Sequence, residues 1–416
     1  MAKLSRTVLL ASAVEMARLV NEALGRAGLD EATVVGDARR GVELVGELAM
    51  IVRGPTDPRP LAQALERAFA CEHVTVDGRD TIRMRFDGGG PARLRIVGRS
   101  RFIEALVRET GNARHVRWLE SLARARGGLD AVCARATTEQ DVYAILGVPF
   151  APPEVREGQT LRVPDLIDAV QGVFHVHTTW SDGTASIADM ARAAGQAGFT
   201  YLGITEHSQA ASYAGGLDSA KLGRQARELA RSKREVPGVQ ILHGVEVDVM
   251  RDGSLDLDDA TLASLDFVIA SVHEGLDMQA TEMTARLVRA VSHPLVTILG
   301  HPTGRLLLGR AGSAFDVEEV AMAAARNDTF LEINANPQRL DLGDSLVRRA
   351  AAKGACFAID PDAHTPRGVR DTSLGVSVAR RAGLAPSQVL NARGADEVLS
   401  YLSARRKKAK RRLALA

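Results

Sequence analysis

Aromatic residues make up only 4% of this 416-residue sequence, and its three cysteines, Cys71, Cys133 and Cys356, lie far apart in no CxxC pattern. So little cysteine excludes a disulfide framework and a thiolate zinc site, and makes a reducing cytoplasm the expected compartment. With few rings to pack, the core has to be built from Ala, Val, Leu and Ile, which suits parallel strands covered by Ala-rich helices. No apolar run approaches the ~18 residues a membrane helix needs, so no membrane contact is expected. Residues 7–13 follow Lys3 and Arg6 in the manner of a weak signal sequence, but Glu15 and Arg18 interrupt the run and continue a helical pattern. Net charge is also scarce, at +2, but unevenly spread: 405–412 carries seven positive charges and leaves −5 on the remainder. Such a tail attracts polyanions by counterion release, yet basic ends are more often solvated and disordered, which is the expectation here.

A composition of 45% hydrophobic and 25% charged residues is ordinary for a globular protein, and the length calls for two domains. The first 150 residues read as α+β. A helix is expected over 6–27, strands over 33–35 and 48–52, and a helix over 60–70. Strands over 81–86 and 92–97 follow, joined by a glycine-rich turn at 87–91. Helices then span 101–110, 113–126 and 139–146, the last opened by the capping-box pair Thr138 and Asp141. The proline- and charge-rich stretch 151–164 is the natural linker. Beyond it, seven apolar runs at 173–176, 201–205, 239–245, 267–272, 296–299, 330–333 and 356–359 alternate with amphipathic helical segments. Repeated strand–helix units imply an α/β parallel sheet or barrel, with reactive side chains at the carboxyl ends of the strands.

That is where residues with metal-ligand chemistry fall: His175, His177, Asp182, His207, Glu246, His273, His301, Asp362 and His364. One histidine near a strand end is ordinarily a satisfied core residue. Six of the chain's ten histidines joined by three carboxylates at successive strand ends are a different matter. His175 and His177 share a face, because alternate strand side chains point the same way. Asp182 follows in a Trp180-Ser181-Asp182-Gly183 loop that can carry its carboxylate back to the same place. Mixed imidazole and carboxylate donors suit manganese, zinc or iron. Nine donors exceed one ion's needs, so two or three divalent ions are implied. Adjacent divalent ions clamp the oxygens of a phosphate ester and lower the pKa of bound water, which makes phosphoester hydrolysis the expected chemistry. His243 and His293 lie outside the set and are read as structural.

A phosphate substrate also calls for positive charge. Arg305, just past His301, and Arg339, beyond Glu332-Ile333-Asn334, are candidates for pairing with phosphate oxygens. In the amino-terminal half, Arg83, Arg85, Arg93 and Arg95 alternate with Ile82, Met84, Phe86, Leu94 and Ile96, placing four arginines on one hairpin face. That face either meets a phosphate backbone or is simply solvated, with Asp80 and Asp87 nearby.

The segments FHVHTTWSDG, ITEHS, LHGVEVDVMRDGSLDL, IASVH, GHPTGR, LEINANPQRLDL and DAH, in this order over about 165–395, resemble the polymerase and histidinol phosphatase (PHP) domain. With YAILGVPFAPPEVREG ahead of them, they resemble in particular the carboxyl-terminal half of bacterial family X DNA polymerases. The resemblance implies a distorted seven-stranded β/α barrel with manganese- or zinc-dependent 3′→5′ exonuclease and related DNA phosphoesterase activity. All nine ligand positions are filled. His175, His177, Asp182, His207 and Asp362 are the expected catalytic members. Glu206 stands where Asp usually precedes the motif histidine, and Pro361 precedes Asp362.

GDARRGVELVGELAMIVRG and ARLRIV resemble the strands of that family's nucleotidyltransferase palm. The three carboxylate positions are Glu47, Ala49 and Arg93, so one acid remains of three, and the serine that helps hold the incoming triphosphate is Asp37. The helix-hairpin-helix segment usual before the palm is not seen. The resemblance thus implies a degenerate palm over 1–98, a helical thumb-like segment over 99–150, the linker, a PHP barrel over 165–400 and a basic tail over 401–416. Polymerase activity is expected to be lost and the remnant to position DNA, whose 3′ ends the phosphoesterase would trim. Two alternatives remain open, a histidinol-phosphatase-type enzyme acting on a small phosphate ester and a non-catalytic DNA-binding scaffold.

Overall fold

A computed structural model describes residues 7–54, 57–68, 73–86 and 90–414. The chain divides into two compact units, Met1–Pro164 and Asp165–Ala416. No helix among the described residues is long and apolar enough to cross a membrane.

The amino-terminal unit holds a short pair, β1 (Val8–Leu9) with β3 (Leu44–Val45), and a five-stranded sheet. That sheet is built from β2 (Thr33–Val35), β4 (Leu48–Arg53), β5 (His73–Asp77), β6 (Thr81–Arg85) and β7 (Pro91–Val97), in the order β2-β4-β7-β6-β5. β1 and β3 are not legible as strands, because two residues carry no period to read, and β5 was not expected either. Helices Leu10–Arg26, Arg59–Ala68, Phe102–Thr110, Ala113–Ala123 and Glu139–Leu146 agree with the expected spans to within a few residues, and Leu129–Cys133 adds a short one. The capping box forms as read, Thr138 Oγ1 accepting from the Asp141 N–H while Asp141 accepts from Thr138. Asp87 and its neighbours to 89, in the expected turn, lie outside the described residues. The stretch 151–164 is partly built into this unit: Arg156 is wholly buried, paired with Glu139 and donating to the Ala151 carbonyl at 2.8 Å.

The second unit is a nearly closed parallel barrel of β8 (Gly172–Val173), β9 (Tyr201–His207), β10 (Gln240–Asp248), β11 (Ile269–Ser271), β12 (Ile298–Leu299), β13 (Phe330–Asn334) and β14 (Phe357–Asp360), in order β14-β13-β12-β11-β10-β9-β8. All seven expected runs become strands. β8 stops two residues short of His175, and the seam between β8 and β14 is held instead by Phe174 N–H donating to Asp360 Oδ1 (2.6 Å) and His177 N–H to the Ala363 carbonyl (2.9 Å). β9 is buried on both faces, as a barrel strand under helices must be. The scarce rings concentrate inside: Phe174, Tyr201, Phe267 and Phe330 fill the barrel with Leu242, Ile269 and Ile298. Phe267 fits only because its neighbours are Gly203 and Gly244, where a Cβ would lie 2.5 Å from the ring. Ile187, Met190, Ala194 and Leu229 pack the outer layer against Leu202 and Ile204.

The basic tail departs from expectation. Residues 405–412 continue the helix Ala395–Leu413 rather than forming a solvated end. Val398, Leu402 and Ala409 make a buried stripe at helical spacing, and Arg405 lies on it. Arg405 donates to the carbonyls of Asp328 (3.2 Å), Pro294 (3.2 Å) and Val296, while Arg406 meets Asp266 at 3.1 Å. Those loops precede β11, β12 and β13, so the helix closes the amino end of the barrel, opposite the ends that carry the histidines.

Candidate metal centre

The barrel brings all nine expected ligands together, in four overlapping groups whose donor atoms lie within 4.8 Å of one another. His177, Asp182, His207 and His364 make one group, and His175, His177 and Asp362 a second. His175, Glu246 and His301 make a third, and His207, Glu246 and His273 a fourth. Glu246, inside β10, belongs to two of the groups, with Oε1 2.9 Å from His301 Nε2, 3.3 Å from His273 Nε2 and 3.4 Å from His175 Nε2. Its Oε2 lies 2.8 Å from His207 Nδ1 and 3.7 Å from His177 Nε2. Asp362 Oδ1 is 3.4 Å from His177 Nε2 and 3.6 Å from His175 Nε2. Asp182, exposed at the mouth, reaches back to His207 (3.5 Å) and His364 (3.4 Å). Its loop is folded tightly: a Cβ on Gly183 would meet the His177 backbone at 2.6 Å, so close approach rather than turn geometry requires glycine there.

These donors fit divalent ions. His175 Nε2, both ring nitrogens of His177, His207 Nδ1 and Glu246 Oε2 are buried and make no hydrogen bond. Buried polar atoms are costly when unpaired, and lone pairs facing one another across about 3–4 Å are what a cation at ~2 Å from each would bridge. The local fields point the same way. Burial would raise the Glu246 carboxyl, but the charges of His175, His207 and His273 hold it well below the usual carboxylate range. Burial opposes protonation of His207, yet Glu246 and Asp182 lift it to about 10. Burial, with His207 alongside, pushes His177 down to about 3.

Carboxylates and carbonyls behind the ligands set their tautomers. His175 Nδ1–H donates to Glu332 Oε1 (2.7 Å), His273 Nδ1–H to Asp248 Oδ1 (2.9 Å) and His364 Nδ1–H to the Asp362 carbonyl (3.0 Å), each turning Nε2 inward. Glu332 Oε2 also accepts the His301 backbone N–H at 2.5 Å, and Asn334 Nδ2 donates to Asp362 Oδ2 at 3.1 Å. Glu206, buried beneath the Asp182 loop, accepts from the Thr178 N–H (3.2 Å), Gln225 (3.1 Å) and the hydroxyls of Thr178 and Ser181. His301 and Asp362 have positive φ, 23° and 50°, a strained backbone that marks functional positions. Asp248 and Glu332 were not singled out as site residues, although Glu246-x-Asp248 and Glu332-x-Asn334 repeat the alternation of His175-x-His177. Glu332→Gln should lower metal affinity or activity roughly 10- to 100-fold, measured by titrating Mn²⁺ into stripped protein. A loss under about twofold would remove Glu332 from this role.

The two loop arginines differ. Arg305 spends its guanidinium on the carbonyls of Arg339 (2.9 Å) and Leu340. It ties down the loop after β13. Arg339 is the one that arrives, Nε 3.3 Å from Asp362 Oδ2. His243 is structural as expected, its Nε2 3.0 Å from Gln225, and His293 meets Asp259 at 3.1 Å.

The four hairpin arginines do share a face, with Ile82, Met84, Ala92, Leu94 and Ile96 buried on the other. That face is already neutralised for three of them. Arg83 pairs with Asp77 (2.8 Å) and Glu47 (3.3 Å), Arg93 with Glu47 (3.2 Å) and Glu109 (3.0 Å), and Arg95 with Glu109 (2.6 Å) and Asp80 (3.4 Å). Arg85 lies on the same strand, half-buried, opposite Pro91. The face is a salt-bridge lattice rather than a row of unpartnered cations.

The PHP domain profile matches residues 174–336. The DNA polymerase/3'-5' exonuclease PolX of Bacillus subtilis (strain 168) is 34% identical over 387 residues, which is 88% of this chain and 68% of that protein. A probable phosphatase of Thermoanaerobacter sp. (strain X514) is 29% identical over 245 residues, 56% of this chain and 95% of that protein. Another, from Clostridium novyi (strain NT), is 33% identical over 168 residues, 39% of this chain and 64% of that protein. PHP phosphoesterases depend on metals, and the clusters described above could bind them. The chain belongs to the PHP-domain hydrolases of phosphate esters, in the family of PolX.

Proposed function

We propose that this protein is a metal-dependent phosphoesterase that trims DNA 3′ ends and has lost template-directed polymerisation. The observation that carries this is the convergence of nine donors on one pocket at the carboxyl rim of the barrel, with Arg339 beside them. His175, His177, Asp182, His207, Glu246, His273, His301, Asp362 and His364 would hold two or three manganese, zinc or iron ions, which would supply Lewis acidity and lower the pKa of water there. The chain's own residues fix the geometry. Glu332 and Asp248 hold His175 and His273 in the ligating tautomer, Glu206 holds the Asp182 loop, and Arg339 offers charge to a phosphate oxygen.

DNA is favoured as substrate because similarity to PolX runs through 88% of the chain, well beyond the barrel. Support for loss of polymerisation comes from the amino-terminal sheet. Its register sets Ala49 beside Arg93, and the guanidinium of Arg93 grips Glu47, the one acid left. A second reading, a phosphatase for a small phosphate ester, draws on relatives named probable phosphatases that match the barrel. A third, a non-catalytic scaffold, sits poorly with a complete donor set.

Metal-stripped protein given Mn²⁺ should shorten a 3′-recessed duplex from its 3′ end and should act on histidinol phosphate at least about 100-fold less efficiently. The reverse preference would give the enzyme to small esters, and inactivity on both with metals bound would favour the scaffold.

A further inference from the structure

After β9 the chain makes one short 3-10 turn, Ser212–Ala214, that lifts Tyr213 into solvent with 72% of its surface exposed. The ring does not turn away from the site: its centroid is 6.4 Å from that of His207, inclined at 50°. Nor is the loop slack. Leu217 N–H donates to the His207 carbonyl at 2.8 Å, Gly216 N–H to the Ala211 carbonyl at 3.2 Å, and Lys221 Nζ to the Gly216 carbonyl at 3.1 Å. Gly216 lies so close to the Ser208 carbonyl that a Cβ would come within 1.9 Å of it. These hydrogen bonds fix the backbone that carries Tyr213 at the lip of the metal site. Met250 and Leu308, on the loops after β10 and β12, are also exposed on this rim.

An exposed ring beside the donor cluster, on a loop pinned by backbone hydrogen bonds, is a stacking platform. Nucleobases stack on such rings with little regard to sequence, and a nucleobase lies one sugar away from its phosphate. A simple phosphate ester without a planar group gains nothing from the ring. Resting on the DNA reading above, we infer that Tyr213 stacks on the base of the strand's 3′-terminal nucleotide while the adjoining phosphodiester occupies the metal centre. Tyr213 then favours nucleotide ends over phosphate esters that carry no planar group.

The test measures binding, so that it does not depend on turnover. Mn²⁺-loaded wild type, Tyr213→Phe and Tyr213→Ala are titrated by fluorescence anisotropy against two labelled single strands, each with a cleavage-resistant phosphorothioate at its last linkage. One strand ends in a thymidine and the other in an abasic tetrahydrofuran. Tyr213→Ala should weaken binding of the thymidine end about tenfold or more and leave the abasic end unchanged, while Tyr213→Phe should match wild type on both. Equal weakening on both ends, no weakening, a Phe variant as impaired as Ala, or no binding by wild type would each overturn the inference. Trimming of an ordinary 3′ end by wild type is scored separately: its absence sinks the DNA-trimming reading, whereas the contrast between strands judges Tyr213 alone.

Discussion

His175→Ala and Asp362→Ala should each cut phosphoester hydrolysis at least about 1000-fold, because each would remove a donor from the cluster that would hold the ions. His175 Nε2 faces both Glu246 and Asp362, and its other nitrogen is held by Glu332 at 2.7 Å. Asp362 stands between His175 and His177, with Arg339 and Asn334 on its second oxygen. Truncating either also leaves buried carboxylates or imidazoles without a partner, so folding must be read alongside rate. Asp362→Asn keeps the shape and removes only the charge, and it should lose activity to the same order while keeping the wild-type circular dichroism spectrum. Full activity in both alanine variants would show that the site has been misassigned.

The second large effect is an absence. Purified protein supplied with primer–template, all four deoxynucleoside triphosphates and Mg²⁺ or Mn²⁺ should show no templated extension, under conditions in which it trims the same primer. Two-metal polymerisation needs clustered carboxylates, and here Ala49 is a buried methyl while Arg93 occupies the space between Glu47 and Glu109 with a guanidinium. Arg93→Ala should not restore extension, since of the three expected carboxylate positions only Glu47 holds an acid. That variant should instead lose about 1–2 kcal/mol of stability, the cost of stranding partners of a charged hydrogen bond, read from its urea midpoint. Template-dependent incorporation by wild type would overturn the account of the amino-terminal unit.

The barrel was legible because its strands are short apolar runs ending in polar chemistry, and each run announces both a strand and its carboxyl end. Nine donors could be placed from their positions at those ends, before any pairing was known. Other features depended on long-range geometry. That Arg305 faces carbonyls and Arg339 faces Asp362 is decided by the path of the loop after β13, which no local pattern encodes. Charge alternation predicted the arginine face of β6 and β7, but Glu109 comes to it from a helix and Glu47 from the approach to β4. The basic tail misled for a related reason. Seven charges outweigh a sparse stripe of Val398, Leu402 and Ala409 in any compositional reading, whereas the barrel's amino end supplies carbonyls that Arg405 satisfies. Tyr213 gave no signal at all, being an isolated aromatic in a polar loop.

The central claim is that these separated side chains form one polynuclear site, and counting the bound metal tests it most directly. Protein saturated with Mn²⁺ or Zn²⁺, desalted and analysed by inductively coupled plasma mass spectrometry should carry two or three ions per chain, and His175→Ala should carry at least one fewer. A wild-type chain that binds one ion or none, or a variant that binds the full complement, would contradict it.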